Sequence, residues 1–203
     1  RWGGTLKGKI TTKTKKNIPR RVAQRYPGKH TQQPGKLEPV PAVVIILGKI
    51  KNHPPPKPKK PLIMAQENYK FKPSLLFVPI GSKVDFPNWD PDFHNVFSYS
   101  KTKRFDLGRY HKGESKSVTF TKPGIGKIYC EIHEWMRAAI VVIENPFYTS
   151  ADNNGNYIIK NIPKGKYNVL VWKMDHKKNV QVIDVPEEGT VVVDFSLPQK
   201  KDK

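Results

Sequence analysis

Apolar residues along this 203-residue chain recur in short runs that alternate with polar residues or stay continuous for only a few positions. Such runs predict β-strands, because long apolar stretches at helical spacing are absent. Gly81-Ser82 and Pro123-Gly124 mark turns between them. We therefore predict an all-β protein, with strands near residues 4–12, 41–50, 75–80, 83–86, 95–98, 115–120, 126–130, 138–143, 157–160, 167–172, 180–185 and 190–197.

A proline-rich stretch divides the chain. Residues 51–61 read KNHPPPKPKKP, which favours extended polyproline II and predicts a semi-rigid spacer. We predict three segments: residues 1–61 as a basic N-terminal segment with first strands and the linker, residues 62–144 as a small β-sandwich, and residues 145–203 as further strands. Trp89 and Trp172 are predicted to lie in a core or between domains.

The last segment carries a recognisable strand and turn pattern. Residues 150–167 read SADNNGNYIIKNIPKGKY, which resembles the second half of a carboxypeptidase regulatory-like (transthyretin-type) sandwich. The two opening strands of that family are matched by GKIT at residues 8–11 and AVVIIL at residues 42–47. The resemblance implies one Ig-like sandwich into which residues 62–144 are inserted.

The positive charge lies mainly in the N-terminal segment. The formal net charge is +20, and 16 of the 37 Lys and Arg residues fall in residues 1–60 against a single acid, Glu38. Such a segment attracts an acidic protein, an anionic surface or nucleic acid, or is a solvated arm. We expect no nucleic-acid binding, because no stacking-aromatic motif of a reader module occurs.

The stretch CEIHEWM holds the strongest chemical signal. Cys130, His133 and Met136 follow a predicted strand within one loop, and His94 stands at the edge of another strand in PNWDPDFHNVF. A trigonal His-His-Cys set with a long axial Met is typical of blue-copper sites, because thiolate and thioether sulfur favour copper. Each residue alone has a structural explanation, but their joint spacing predicts one copper ion bound by all four.

On these motifs, residues 62–144 resemble the cupredoxins, particularly plastocyanin-like and amicyanin-like proteins with the same loop spacing. The resemblance implies a Greek-key β-sandwich in which His94 and His133 are imidazole ligands, Cys130 supplies the thiolate and Met136 the weak axial sulfur. Asn95 matches the Asn that ties the two ligand loops together by hydrogen bonds. The loop fillings depart from the family, since prolines common in relatives are replaced.

The resemblance also implies a function. We expect a single-electron carrier and not an enzyme, with electrons passing through the exposed edge of His133 to redox protein partners such as an acidic cytochrome or oxidoreductase. The basic residues 1–60 are then expected to steer the partner or contact an anionic surface. Relatives are typically exported, so we expect a periplasmic or extracytoplasmic protein whose signal peptide has been removed.

Three alternatives remain open from the residues. Copper storage or delivery would use the same ligands, and a non-redox interaction module would carry a vestigial site. A multicopper enzyme would need further histidine clusters, whereas the six histidines are scattered. Asp90 and Asp92 are predicted to form a turn and not a calcium site. Trp135, flanked by ligands, is predicted either to cap the site or docking face or to pack beneath the loop.

Overall fold

The computed structural model describes residues 3–13 and 36–200 and is built from strands, which confirms the all-β prediction. In chain order the strands are β1 (Gly4–Lys13), β2 (Val43–Ile46), β3 (Leu62–Ile63), β4 (Ala65–Gln66), β5 (Phe71–Lys72), β6 (Leu75–Pro79), β7 (Ser82–Pro87), β8 (His94–Ser100), β9 (Lys103–Tyr110), β10 (Ser115–Phe120), β11 (Gly124–Tyr129), β12 (Arg137–Ile143), β13 (Tyr148–Ser150), β14 (Asn156–Ile162), β15 (Gly165–Trp172), β16 (Asn179–Val185), β17 (Thr190–Val192) and β18 (Phe195–Pro198). Within the described ranges, no helix is long and apolar enough to cross a membrane.

Strands β3 to β12 form the sandwich that carries the predicted ligands. A five-stranded sheet in the order β6-β12-β11-β8-β9 packs against a three-stranded sheet in the order β10-β7-β3, and β4 and β5 pair separately. A hydrophobic core between the five-stranded and the three-stranded sheet includes Cys130 and Met136 together with several aromatic side chains. The predicted ligand loop is therefore anchored directly to the core of this sandwich.

The strands on either side of residues 62–144 pair with one another. Strand β2 lies between β13 and β15 in the four-stranded sheet β13-β2-β15-β16, and β1 pairs with β14, β17 and β18. A second core fills the space between these two sheets. The assignment of this part to the transthyretin-type family, and the segment boundaries near residues 61 and 144, stay predictions.

A third core lies between the two sandwiches, which explains why some strands are apolar at every position. Alternate side chains of a strand point to opposite faces of its sheet. In β12, Ala138, Ile140 and Val142 face the core that holds Cys130, whereas Ala139, Val141 and Ile143 pack against β2 and β15 of the other sandwich. A continuous apolar run therefore indicates burial on both faces.

Several features differ from the expectations above. The pattern missed β3, β4, β5, β9 and β13, because these strands are short or, like β9, alternate charged residues with apolar ones at an exposed edge. Residues 190–197 form two strands, β17 and β18, and not one. Trp172 is buried between the sandwiches as predicted, but Trp89 is 49% exposed, so its assignment to a core or domain contact was wrong.

Candidate metal centre

The loop of residues 130–136 joins two antiparallel neighbours in the sheet. The pairing of β11 with β12 ends at Tyr129 opposite Arg137, so these seven residues protrude at one end of the sandwich. The loop is tied to itself, since the Met136 N–H donates to the His133 carbonyl at 2.9 Å and the Cys130 N–H donates to the Met136 carbonyl at 3.4 Å. These bonds hold the three loop donors in a compact conformation.

His94 reaches the same end of the sandwich because it is the first residue of β8, which pairs with both β9 and β11. The next residue, Asn95, links the two segments: its side-chain oxygen accepts a hydrogen bond from the Glu131 N–H at 2.8 Å. The Asn95 backbone also forms a hydrogen bond to the Cys130 thiol. Asn95 thus lies where the resemblance placed it, bridging the two ligand-bearing segments.

Three of the predicted donors converge. The Cys130 Sγ lies 3.9 Å from the His94 Nδ1 and 4.0 Å from the His133 Nδ1, and the two imidazole nitrogens are 3.0 Å apart. All three residues are buried. Within residues 3–13 and 36–200, they form the one group of histidine, cysteine or acidic side chains found close enough to hold a metal ion.

The spacing of these atoms fits a first-row transition metal. The point that is equidistant from the three donor atoms, which is the centre of the circle through them, lies about 2.1 Å from each atom. Imidazole nitrogen binds Zn²⁺ at about 2.0–2.1 Å and thiolate sulfur at about 2.3 Å. A metal of similar size therefore fits among the three donors with little movement of the side chains.

Met136 occupies the same region as the three donors. Its side chain is fully buried and packs in the core that also contains Cys130. A buried thioether at this position is available as a soft ligand, but it is also an ordinary core-filling side chain. The role of Met136 as the axial ligand stays a prediction.

Burial governs the protonation of the thiol. Desolvation raises the pKa of Cys130, while hydrogen bonds from the backbones of Asn95, His133 and Ile132 act in the opposite direction. Because a metal binds the thiolate, binding at this site displaces the thiol proton. The same backbone donors then stabilise the negative sulfur.

Aromatic rings cover the two imidazoles from outside. The Tyr69 ring contacts both His94 and His133 edge-on, with centroid distances of 5.8 and 5.2 Å. The Trp135 ring contacts His133 at 5.1 Å, and its indole N–H donates to the Tyr69 carbonyl at 3.2 Å. Trp135 therefore contacts a ligand imidazole and also packs against the core that holds Cys130, so both alternatives for this residue apply in part. His133 is 9% exposed, so the expectation that electrons pass through an exposed edge of its imidazole stays a prediction.

Sequence reasoning missed two residues at this site. Tyr69 lies in the turn between β4 and β5, for which no local motif pointed to the metal centre. Asp90 was predicted only as a turn residue, yet its carboxylate contacts the His94 Nε2 at 2.8 Å. The sequence offered one signal, a carboxylate four residues before the predicted ligand His94. Only the loop conformation shows that these two side chains meet.

No protein-family model matches the chain, and no curated protein matches it in sequence. Solved structures do match. A Cu(I) form of an amicyanin mutant is 24% identical, covering 40% of this chain and 81% of that protein, with a TM-score of 0.38. A copper-containing nitrite reductase from Thermus scotoductus SA-01 is 24% identical, covering 48% of this chain and 28% of its own, with a TM-score of 0.40. A purple cupredoxin from Nitrosopumilus maritimus is 27% identical, covering 39% and 95%, with a TM-score of 0.35.

Proposed function

We propose that this protein binds one copper ion through His94, Cys130, His133 and Met136 and carries single electrons between redox partners. The observation that supports it most directly is the triangle of three buried donors with sides of 3.0, 3.9 and 4.0 Å. Two imidazoles with one thiolate and a thioether nearby form the donor set of blue-copper centres. Copper bound there would supply a one-electron couple between Cu(II) and Cu(I).

The protein's contribution is to hold one donor geometry for both oxidation states. Cys130 and Met136 are anchored in the core of the sandwich, and Asn95 ties the loop to β8. Backbone N–H groups stabilise the Cys130 thiolate, while the rings of Tyr69 and Trp135 pack edge-on against the imidazoles and reduce their contact with water. Little reorganisation of the ligands is then needed when an electron arrives or leaves.

We propose that the partner is another one-electron protein that docks briefly at the end of the sandwich carrying the loop. Because only 9% of His133 is exposed, electrons would also pass through the edges of the Tyr69 and Trp135 rings, which contact it. Burial of all three donors also favours an electron carrier over an enzyme, since a substrate would need access to the metal. The basic residues 1–60 are proposed to steer an acidic partner or to contact an anionic surface, and of these, residues 1–2 and 14–35 lie outside the described residues.

Retention of the metal separates electron transfer from storage or delivery. Donors that are buried in a core-anchored loop favour slow exchange, whereas a delivery protein must release its metal to a recipient. We also propose export to the periplasm or another extracytoplasmic space, which the resemblance to exported copper proteins supports.

The test is the visible absorption and electron paramagnetic resonance spectrum after Cu(II) is added, compared with Cys130→Ser. An intense thiolate charge-transfer band with narrow copper hyperfine splitting, lost in Cys130→Ser, is expected. His111→Asn is the control, because the His111 ring contacts Phe93 outside the donor triangle and its loss should leave the band intact. A colourless protein, or weak copper signals that survive Cys130→Ser, would leave an interaction module with a vestigial site.

A further inference from the structure

Asp90 lies against the metal centre in a way that its turn position does not explain. It is located in the loop between β7 and β8, four residues before His94, and is only 4% exposed. Its Oδ2 atom lies 2.8 Å from the His94 Nε2. A carboxylate can only accept hydrogen bonds, so this contact places a proton on Nε2, and in the neutral imidazole the His94 Nδ1 then carries the lone pair. That nitrogen is the one facing Cys130 and His133.

The same carboxylate holds a second element in place. The Asp90 Oδ1 accepts a hydrogen bond from the Asn68 N–H at 2.6 Å, and the Oδ2 accepts one from the Tyr69 N–H at 2.9 Å. Asn68 and Tyr69 both have positive φ, 55° and 57°, in the turn between β4 and β5. Such a turn favours glycine at its second position, so a tyrosine there is strained and needs support from its surroundings.

The strained turn carries the ring that covers the site. Tyr69 contacts both imidazoles, and its hydroxyl donates to the Asp92 Oδ2 at 2.8 Å. One buried carboxylate thus accepts three N–H groups: one from a ligand imidazole and two from the turn that caps both imidazoles. Asp90 itself is held, because its own N–H donates to the side-chain oxygen of the buried Asn88 at 3.0 Å.

We propose that Asp90 is a positioning residue for the metal centre, which fixes His94 in the Nε2–H tautomer and holds the Tyr69 turn over the imidazoles. A carboxylate bonded to a ligand histidine orients the ring and makes it a stronger donor, and removing such a partner typically costs 10- to 100-fold in metal affinity. Its negative charge favours Cu(II) over Cu(I), an effect that rests on the copper function proposed above.

Asp90→Asn removes the charge and changes little else in shape. The amide of the new Asn can be oriented in two ways, and in each its NH₂ group meets N–H donors that Asp90 accepts in the wild type. In one orientation the donor is the Asn68 N–H, and in the other the donors are those of His94 and Tyr69. His94 is relieved of this conflict by moving its proton to Nδ1, which blocks the nitrogen that faces the other donors. We therefore expect weaker metal binding, with Cu(II) affected more than Cu(I).

The first measurement needs neither copper nor a variant. Long-range ¹H–¹⁵N NMR spectra of the metal-free protein with labelled histidine report which nitrogen of His94 is protonated. The expected result is Nε2–H in the wild type. A neutral His94 ring with its proton on Nδ1 and not on Nε2 overturns the proposal, whether or not the protein later binds copper and whether or not Asp90→Asn folds; the spectra are recorded at a pH where the ring is neutral.

The second measurement compares Cu(I) and Cu(II) dissociation constants for wild type, Asp90→Asn and Asp92→Asn. Asp92 is the control, because it lies in the same loop and loses the same charge but contacts the Tyr69 hydroxyl and not His94. Asp90→Asn should weaken Cu(II) binding at least tenfold more than Cu(I) binding, which corresponds to a rise of about 59 mV in the one-electron potential.

The outcomes separate the two proposals. If the wild type forms the blue centre and Asp90→Asn shifts the ratio of the two constants no more than Asp92→Asn does, Asp90 has no positioning role at the metal. If the wild type shows no thiolate-bound copper, the proposed function fails, while the NMR tautomer still decides whether Asp90 controls His94.

Discussion

The bridge made by Asn95 offers a quantitative test of how the ligand loop is held. Its side-chain oxygen accepts the Glu131 N–H at 2.8 Å, and Asn95 is only 1% exposed. Asn95→Ala leaves this half-buried donor without its acceptor, which costs about 1–3 kcal/mol in the free energy of unfolding. For a chain of this length, a loss of about 2 kcal/mol lowers the Tm by about 4–8 °C.

The same substitution should also weaken copper binding, because the loop that carries Cys130 is no longer tied to the strand that carries His94. Loss of an outer hydrogen bond of this kind typically reduces metal affinity 10- to 100-fold. Stability is measured by urea unfolding of the metal-free protein. Affinity is measured by copper titration against a competing chelator, followed by the thiolate absorption band.

The other sandwich supplies a matched control for Asn95→Ala. Asn145 is equally buried, and its side chain donates to the carbonyls of Ile46 and Gly48 and accepts the Phe147 N–H, all at 2.7 to 2.8 Å. Asn145→Ala should destabilise the fold at least as much but leave copper affinity unchanged. If both variants weaken copper binding equally, the effect is one of global stability and the bridging role of Asn95 is refuted.

Two further predictions concern the fold. Trp172 is 5% exposed in the core between the sandwiches, so Trp172→Ala should cost about 3–5 kcal/mol in urea unfolding followed by circular dichroism. A loss below about 1 kcal/mol would show that this interface contributes little. Burial raises the pKa of Tyr110 and Tyr157, so the folded state keeps protons that the unfolded state loses above about pH 10. The free energy of unfolding should therefore fall as the pH rises past 10, and a flat profile between about pH 9 and 11.5 would contradict this assignment.

The strand content and most of the ligand set were predictable because they depend on short-range pattern. Cys130, His133 and Met136 share one loop, so their spacing alone brings their side chains to the same end of a hairpin. His94 was predictable because it begins a strand, and strand ends in a small sandwich meet. The run 138–143 was recognised as a strand because its apolar residues are contiguous, which is again a short-range pattern.

Other features depend on contacts that local pattern does not encode. Strand β9 was not recognised because charged residues alternate with its apolar ones, although Phe105, Leu107 and Tyr110 face the core and the strand pairs with β8 at the sheet edge. That both faces of β12 are buried follows only from the packing of one sandwich on the other. Loops filled by polar and aromatic residues gave no sign of which ring covers which ligand.

By itself, the sequence determined an all-β chain and a set of donors suited to copper, because strand periodicity and loop spacing act over a few residues. The tertiary structure decided how those donors are surrounded. Asp90 meets Asn68 across 22 positions and Trp135 meets Tyr69 across 66, and such contacts exist only once the sheets have brought distant loops together. The burial of His133 and the hydrogen-bonded carboxylate behind His94 are consequences of that assembly.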